Sequence, residues 1–147
     1  MTADHGQINV SPKETIYLSR YPKIVSSLQI SSSGKKILPW GSPRDVFLQV
    51  KDEKLEATFE FLTELLDGKA TVVKSADAIK DGLFGLGKLH KKFKSRVGNI
   101  LILPHKNYTV WYEHIRGKKF RLLGMHGGLS PDEMLVPFAA ANAIDLL

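Results

Sequence analysis

Gly124-Met125-His126-Gly127-Gly128-Leu129-Ser130-Pro131-Asp132-Glu133-Met134-Leu135-Val136-Pro137 is the stretch from which the rest of the chain reads. A histidine set between glycines can bring its imidazole close to a bulky or charged group, because the flanking backbone needs no side-chain room. Ser130, Pro131 and the acidic pair Asp132-Glu133 then form a helix start, with serine as N-cap and proline at the first helical position. Free N–H groups at such a start suit a phosphate or a carboxylate. The counterpart lies at the other end, in Thr2-Ala3-Asp4-His5-Gly6. An Asp-His-Gly and a distant His-Gly-Gly together hold donors for a divalent metal, so the intervening chain is expected to bring the two ends together.

Asp4 and His5 offer a hard oxygen and a borderline nitrogen, a mixture that suits zinc, manganese or iron rather than calcium. Neighbours in a strand point to opposite faces, so the backbone must turn at Gly6 for both to serve one ion. The plainer alternative makes Asp4 a turn cap and His5 an exposed polar residue. His90, His105 and His114 lack a glycine setting and read as surface or strand residues.

With 147 residues, 43% hydrophobic and 24% charged, the chain has room for one domain with a real core. It has no cysteine, which excludes disulfides and thiolate chemistry and fits a cytoplasmic setting. No signal peptide and no apolar run long enough for a bilayer is read, so no membrane contact is expected. The net charge of +6 favours anionic partners. Much of it sits in Lys88-Leu89-His90-Lys91-Lys92-Phe93-Lys94-Ser95-Arg96, where Leu89, Phe93 and Val97 are spaced for a helical stripe. Lys91, Lys92 and Lys94 are weak candidates for a substrate phosphate. A solvated face is the favoured reading, since no base-stacking aromatics accompany the charges, and a nucleic acid partner is not expected.

The first half reads as short strands at 15–18 and 24–31, a loop at 39–43 and a strand at 44–51. A helix follows from Glu53 to Leu66, capped by Asp52, with Leu55, Phe59, Leu62 and Leu66 buried at helical spacing against Val46, Leu48 and Val72. Then come a strand at 70–74 and a short helix capped by Ser75. Gly82-Leu83-Phe84-Gly85-Leu86-Gly87 lacks the glycine order and the Lys-Ser/Thr of a phosphate loop and reads as a turn. The second half reads as a buried strand at 99–104, a hairpin turn at 105–107, a strand at 108–114 and a closing buried strand at 135–141. Strand, helix, strand, short helix gives residues 15–98 as an α+β layer, with 1–14 and 99–147 carrying the two motifs.

Together the two end motifs resemble the last two metal motifs of the alkaline phosphatase superfamily, in its type I phosphodiesterase/nucleotide pyrophosphatase branch. Gly41-Ser42-Pro43-Arg44-Asp45-Val46-Phe47-Leu48 and Val97-Gly98-Asn99-Ile100-Leu101-Ile102-Leu103-Pro104 are similar to microbial members of the same branch. The resemblance implies an α/β fold class, mixed α+β in this piece. It would be the C-terminal part of an alkaline-phosphatase-like core (1–14 and 99–147) with a small inserted α+β cap (15–98).

It further implies hydrolysis of phosphodiester or pyrophosphate bonds, a phosphate-ester or nucleotide substrate, and two divalent ions, zinc or manganese. Asp4 and His5 would hold the ion that activates a threonine or serine nucleophile, and His126 the other. In the family the nucleophile, a further metal-binding Asp and an Asp-x-x-x-His segment precede Asp-His-Gly, and this sequence has none of them. No catalytic residue is therefore assigned here; the missing N-terminal portion of the core is the expected partner, and the chain alone is expected to be inactive. A phosphomutase or sulfatase of the same superfamily, or a small basic module that binds nucleotide or nucleic acid without catalysis, are the alternatives.

Overall fold

Alternating and continuous apolar runs build one antiparallel sheet, in the order β3-β4-β6-β5, in a computed structural model that describes residues 1–142. Its strands are β3 (Trp40–Ser42), β4 (Asp45–Leu48), β5 (Ala70–Lys74) and β6 (Ile100–Pro104). In β4 the even positions, Val46 and Leu48, are buried opposite Ile102 and Ile100 of β6. That period of two points one face of the sheet into the core. The run at 100–104 is apolar throughout because β6 is central, with β4 on one side and β5 on the other.

Helix α2 (Leu55–Leu65) packs on that core face, entered through a single 3-10 turn at Asp52–Lys54. Asp52 makes no capping bond, and after β5 the chain forms the short helix α3 (Ser75–Lys80). Leu62 and Leu66 are fully buried, whereas Leu55 and Phe59 are only partly so. The expected stripe is thus centred on Thr58 and Leu62, with Leu55 and Phe59 at its rim.

Five other expectations are corrected. Residues 24–27 belong to helix α1 (Pro22–Ser27) instead of a strand, and of the rest Leu28 and Ile30 make only isolated bridges, to Val50 and Lys36. Tyr21 is extended and Pro22 occupies the first helical position, after which Ile24 and Leu28, four apart, both reach the core. Residues 39–43 include β3, which pairs with β4 and stacks Trp40 on Phe47 with centroids 6.2 Å apart. The basic run 88–96 is not a helix. Phe84 and Phe93 pack edge to face at 5.2 Å, Phe84 lies 6.3 Å from Phe47, and Trp40 Nε1 donates to the Arg96 carbonyl. These contacts strap the segment across the outer face of the sheet as turns and one 3-10 turn, leaving Lys91, Lys92 and Lys94 exposed.

The fourth and fifth corrections concern the second half. No hairpin joins β6 to β7 (Thr109–Trp111), because both edges of β6 are already taken. β7 pairs in parallel with β2 (Thr15–Tyr17). Residues 135–142 form no strand or buried element: Leu135 and Phe138 are 74% and 81% exposed. They run instead beside the first residues, joined by a Thr2–Phe138 bridge and by two hydrogen bonds between Met1 and Ala139. No described helix is long and apolar enough to cross a membrane.

Candidate metal centre

The two ends meet through β1 (Ile8–Asn9) and β8 (Gly124–Met125), which pair antiparallel, and through Val10 N–H donating to Leu123. The strand leads straight into His126. On the other side Gly6 N–H donates 2.9 Å to the Glu133 carbonyl. That carbonyl belongs to the short helix α4 (Pro131–Met134), which Ser130 starts as expected from its extended conformation. Gly6 is required by proximity: a Cβ there would sit 1.9 Å from the Asp132 carbonyl oxygen.

These contacts stack the His5 and His126 imidazoles, with centroids 3.7 Å apart and planes 17° from parallel. His5 Nδ1 lies 2.7 Å from its neighbouring Gly6 carbonyl, an acceptor, so Nδ1 carries the hydrogen. In the neutral ring this leaves the lone pair on Nε2, which faces Asp4 Oδ2 at 3.5 Å. In that neutral form two lone-pair atoms face each other, whereas a protonated ring would turn an N–H towards the carboxylate. Tetrahedral zinc, with ligands at about 2.0–2.1 Å, would hold two such atoms roughly 3.3 Å apart. A carbonyl fixing the tautomer of a ligand histidine is also the usual outer support of a metal site.

Asp4 and His5 therefore fit one cation as a two-donor set. Among the described residues no group of three or more His, Cys, Asp or Glu side chains is placed around a single ion. The site is open, with the Asp4 side chain 87% and that of His5 39% exposed. Asp4's carboxyl lies below the usual range, chiefly through hydrogen bonds from its own and the His5 backbone N–H, helped by the histidines.

Four residues, Ser42, Arg44, Asp45 and Glu133, lie against the turn that follows His126, and none was singled out from sequence. Asp45 accepts from Ser42 N–H at 2.9 Å and from the Ser42 hydroxyl, and both side chains lie against Gly127. Burial raises the Asp45 carboxyl, against the opposing pull of those hydrogen bonds and of nearby His126. Gly127 has φ +107°, and a Cβ there would meet Ser42 Oγ at 2.8 Å, so the turn after His126 requires glycine twice over. Arg44 and Glu133 form an ion pair at 1% and 0% side-chain exposure. The available signals were Ser130-x-x-Glu133, a capping-box pattern, and a charged pair opening an apolar strand at Arg44-Asp45. The serine hydroxyl in fact donates to Glu133 Oε2 instead of capping the helix. Lys91, Lys92 and Lys94 belong to the strap across the sheet, not to this cluster.

The family model for type I phosphodiesterase / nucleotide pyrophosphatase matches residues 1–129. Among curated proteins none matches. Human ectonucleotide pyrophosphatase/phosphodiesterase 5 shares the fold over 90% of this chain and 30% of its own, with TM-score 0.62 and 21% identity. Murine ectonucleotide pyrophosphatase/phosphodiesterase 5, in an inactive form in complex with AMP, is similar over 92% of this chain and 31% of its own. Its TM-score is 0.61 at 18% identity. The chain thus spans about 30% of the length of these solved structures.

Proposed function

We propose a function from one premise: the chain belongs to the type I phosphodiesterase / nucleotide pyrophosphatase family, whose model covers most of its length. Its mixed α+β fold is part of the alkaline-phosphatase-like architecture of the ectonucleotide pyrophosphatases. In this reading the chain supplies part of a two-metal site that hydrolyses a phosphodiester or pyrophosphate bond in a nucleotide-like substrate. The observation that carries it is the stacking of His5 on His126 across the two ends. The stack sets one histidine from each motif side by side, as a site that holds two ions close together requires.

Asp4 and His5 would hold one divalent ion, zinc or manganese, and His126 the other. Bound there, the ions would polarise the phosphoryl oxygens and lower the pKa of an attacking hydroxyl. This chain's own work is to orient donors. The Gly6 carbonyl holds the His5 tautomer, and the Gly127-Gly128 turn holds His126 over Ser42 and Asp45. Catalytic zinc normally has three protein ligands, so further donors and the nucleophile are supplied by polypeptide outside these residues. A cytoplasmic setting remains part of the proposal.

Histidine-selective NMR during zinc titration tests the reading. His5 and His126 signals should move together while those of His90, His105 and His114 stay in place, and AMP should then bind more tightly with zinc than without it. Zinc that leaves both rings unperturbed, with AMP binding dependent on Lys91, Lys92 and Lys94, would replace the metal site with a basic binding module.

A further inference from the structure

We infer that Glu133, clamped by Arg44, is a positioning residue that sets the spacing of His5 and His126; the inference rests on the metal-site reading above. The carboxylate has its acceptor sites filled. Oε1 takes Arg44 Nε at 3.0 Å and the Gly128 N–H at 2.9 Å. Oε2 takes an Arg44 terminal nitrogen at 2.8 Å and the Ser130 hydroxyl at 2.7 Å. Two of the four donors therefore belong to the turn that follows His126. The main chain of the same residue reaches the other motif, since its carbonyl accepts from Gly6 N–H at 2.9 Å, next to His5. One residue thus touches both motifs, with its side chain on one and its backbone on the other.

Arg44 ties this residue to the core. Its remaining terminal nitrogen donates to the Tyr108 carbonyl at 2.6 Å, and the preceding Pro43 carbonyl accepts from Val110 N–H of β7 at 2.9 Å. The segment 42–45 therefore grips the His126 turn twice, through Arg44 to Glu133 and through Ser42 and Asp45 against Gly127. A fully buried ion pair seldom stabilises a fold more than apolar residues of the same volume would. Its distinctive contribution here is directional: bidentate Arg–carboxylate geometry leaves Glu133 no freedom to rotate. The length of the glutamate also matters, because aspartate is one methylene too short to meet Arg44 and Gly128 together.

The test compares the full chain with Glu133→Asp, and with the paired replacement Arg44→Met with Glu133→Leu, which removes the charges without leaving one unpaired. Three readouts are taken: thermal stability, the nuclear Overhauser contact between the His5 and His126 rings, and zinc affinity. Positioning predicts that the ring contact is lost in both variants and that zinc affinity falls about 10–100-fold, the usual effect of removing an outer support. The paired apolar variant should show this even where its melting temperature equals that of the parent chain. A variant that keeps the ring contact and zinc affinity while losing only stability would reduce the pair to a structural staple and overturn the inference. If the parent chain takes up no zinc at these histidines, the metal reading fails. Loss of the ring contact in the apolar variant would still uphold the positioning role.

Discussion

The imidazole of His5 lies on that of His126, 3.7 Å away and nearly parallel, although the two residues come from opposite ends of the chain. The stack depends on a close backbone approach at Gly6. Gly6→Ala would drive a methyl into the Asp132 carbonyl, 1.9 Å from the ideal Cβ position, and the α4 backbone would have to retreat. Expected are a loss of roughly 1–3 kcal/mol in urea denaturation and loss of the inter-ring contact. An alanine variant with both unchanged would mean that the two ends do not meet here.

Stability should depend on acid through Glu133. Hydrogen bonds from Arg44, Ser130 and Gly128 outweigh burial and hold its carboxyl down at about 2, from an ordinary 4.5. A depressed acid stabilises the fold fully above its unfolded value, and this contribution is lost as pH falls from about 4.5 towards 2. On the order of 3 kcal/mol is at stake. Asp45 works with the opposite sign: its raised pKa makes its contribution strongest in acid and weaker as pH rises above 3.8. Denaturation between pH 6 and about 2 should show a steep acid limb, and Arg44→Met with Glu133→Leu should flatten it.

The core separates two helix positions that share one stripe. Leu62→Ala should cost roughly 2–5 kcal/mol, because Leu62 is wholly enclosed by the sheet and α1. Phe59 is only partly covered, so its truncation should cost less. Reversal of that order in equilibrium unfolding would shift the helix register.

Hydrolysis of an activated phosphodiester by the purified chain should be at most a trace rate with zinc or manganese, since on the proposed reading Asp4, His5 and His126 alone would provide too few ligands. Any trace should vanish in His126→Ala. Vigorous turnover abolished by that substitution would show that this chain holds a complete active site.

Replacing Lys91, Lys92 and Lys94 together by glutamine should leave zinc-dependent AMP binding unchanged, because the three side chains ride on the strap over the sheet. Loss of binding would place the nucleotide on that strap.

Elements whose burial is decided along the chain were legible in the sequence. β4, β5 and β6 are apolar at their centres, α2 repeats at helical spacing, and Pro131 opens α4. Features decided across the chain were not. α1 is too short for periodicity to reveal, and only Ile24 and Leu28 meeting the core make it a helix. The parallel partner of β7 follows from β6 having no free edge, which depends on where β4 and β5 lie. The motif residues Asp4, His5 and His126 stood out because glycine surrounds them. Arg44 and Asp45 resembled the charged end of a strand, and Glu133 an ordinary first-turn acid, until their partners were brought alongside.

The pairing of β1 with β8 and of β2 with β7 also bears on how the protein is made. Both join early residues to late ones, and loop-closure entropy must be overcome before such contacts contribute anything. The strand partners of β1 and β2 all lie beyond residue 108, so neither pairing can form until those residues have been made. Chains rich in such distant contacts fold slowly. The sheet of β3 to β6 can form before either pairing, and the histidine stack can close only once His126 has been made, so a translational pause before Thr109 would leave β1 and β2 without their strand partners.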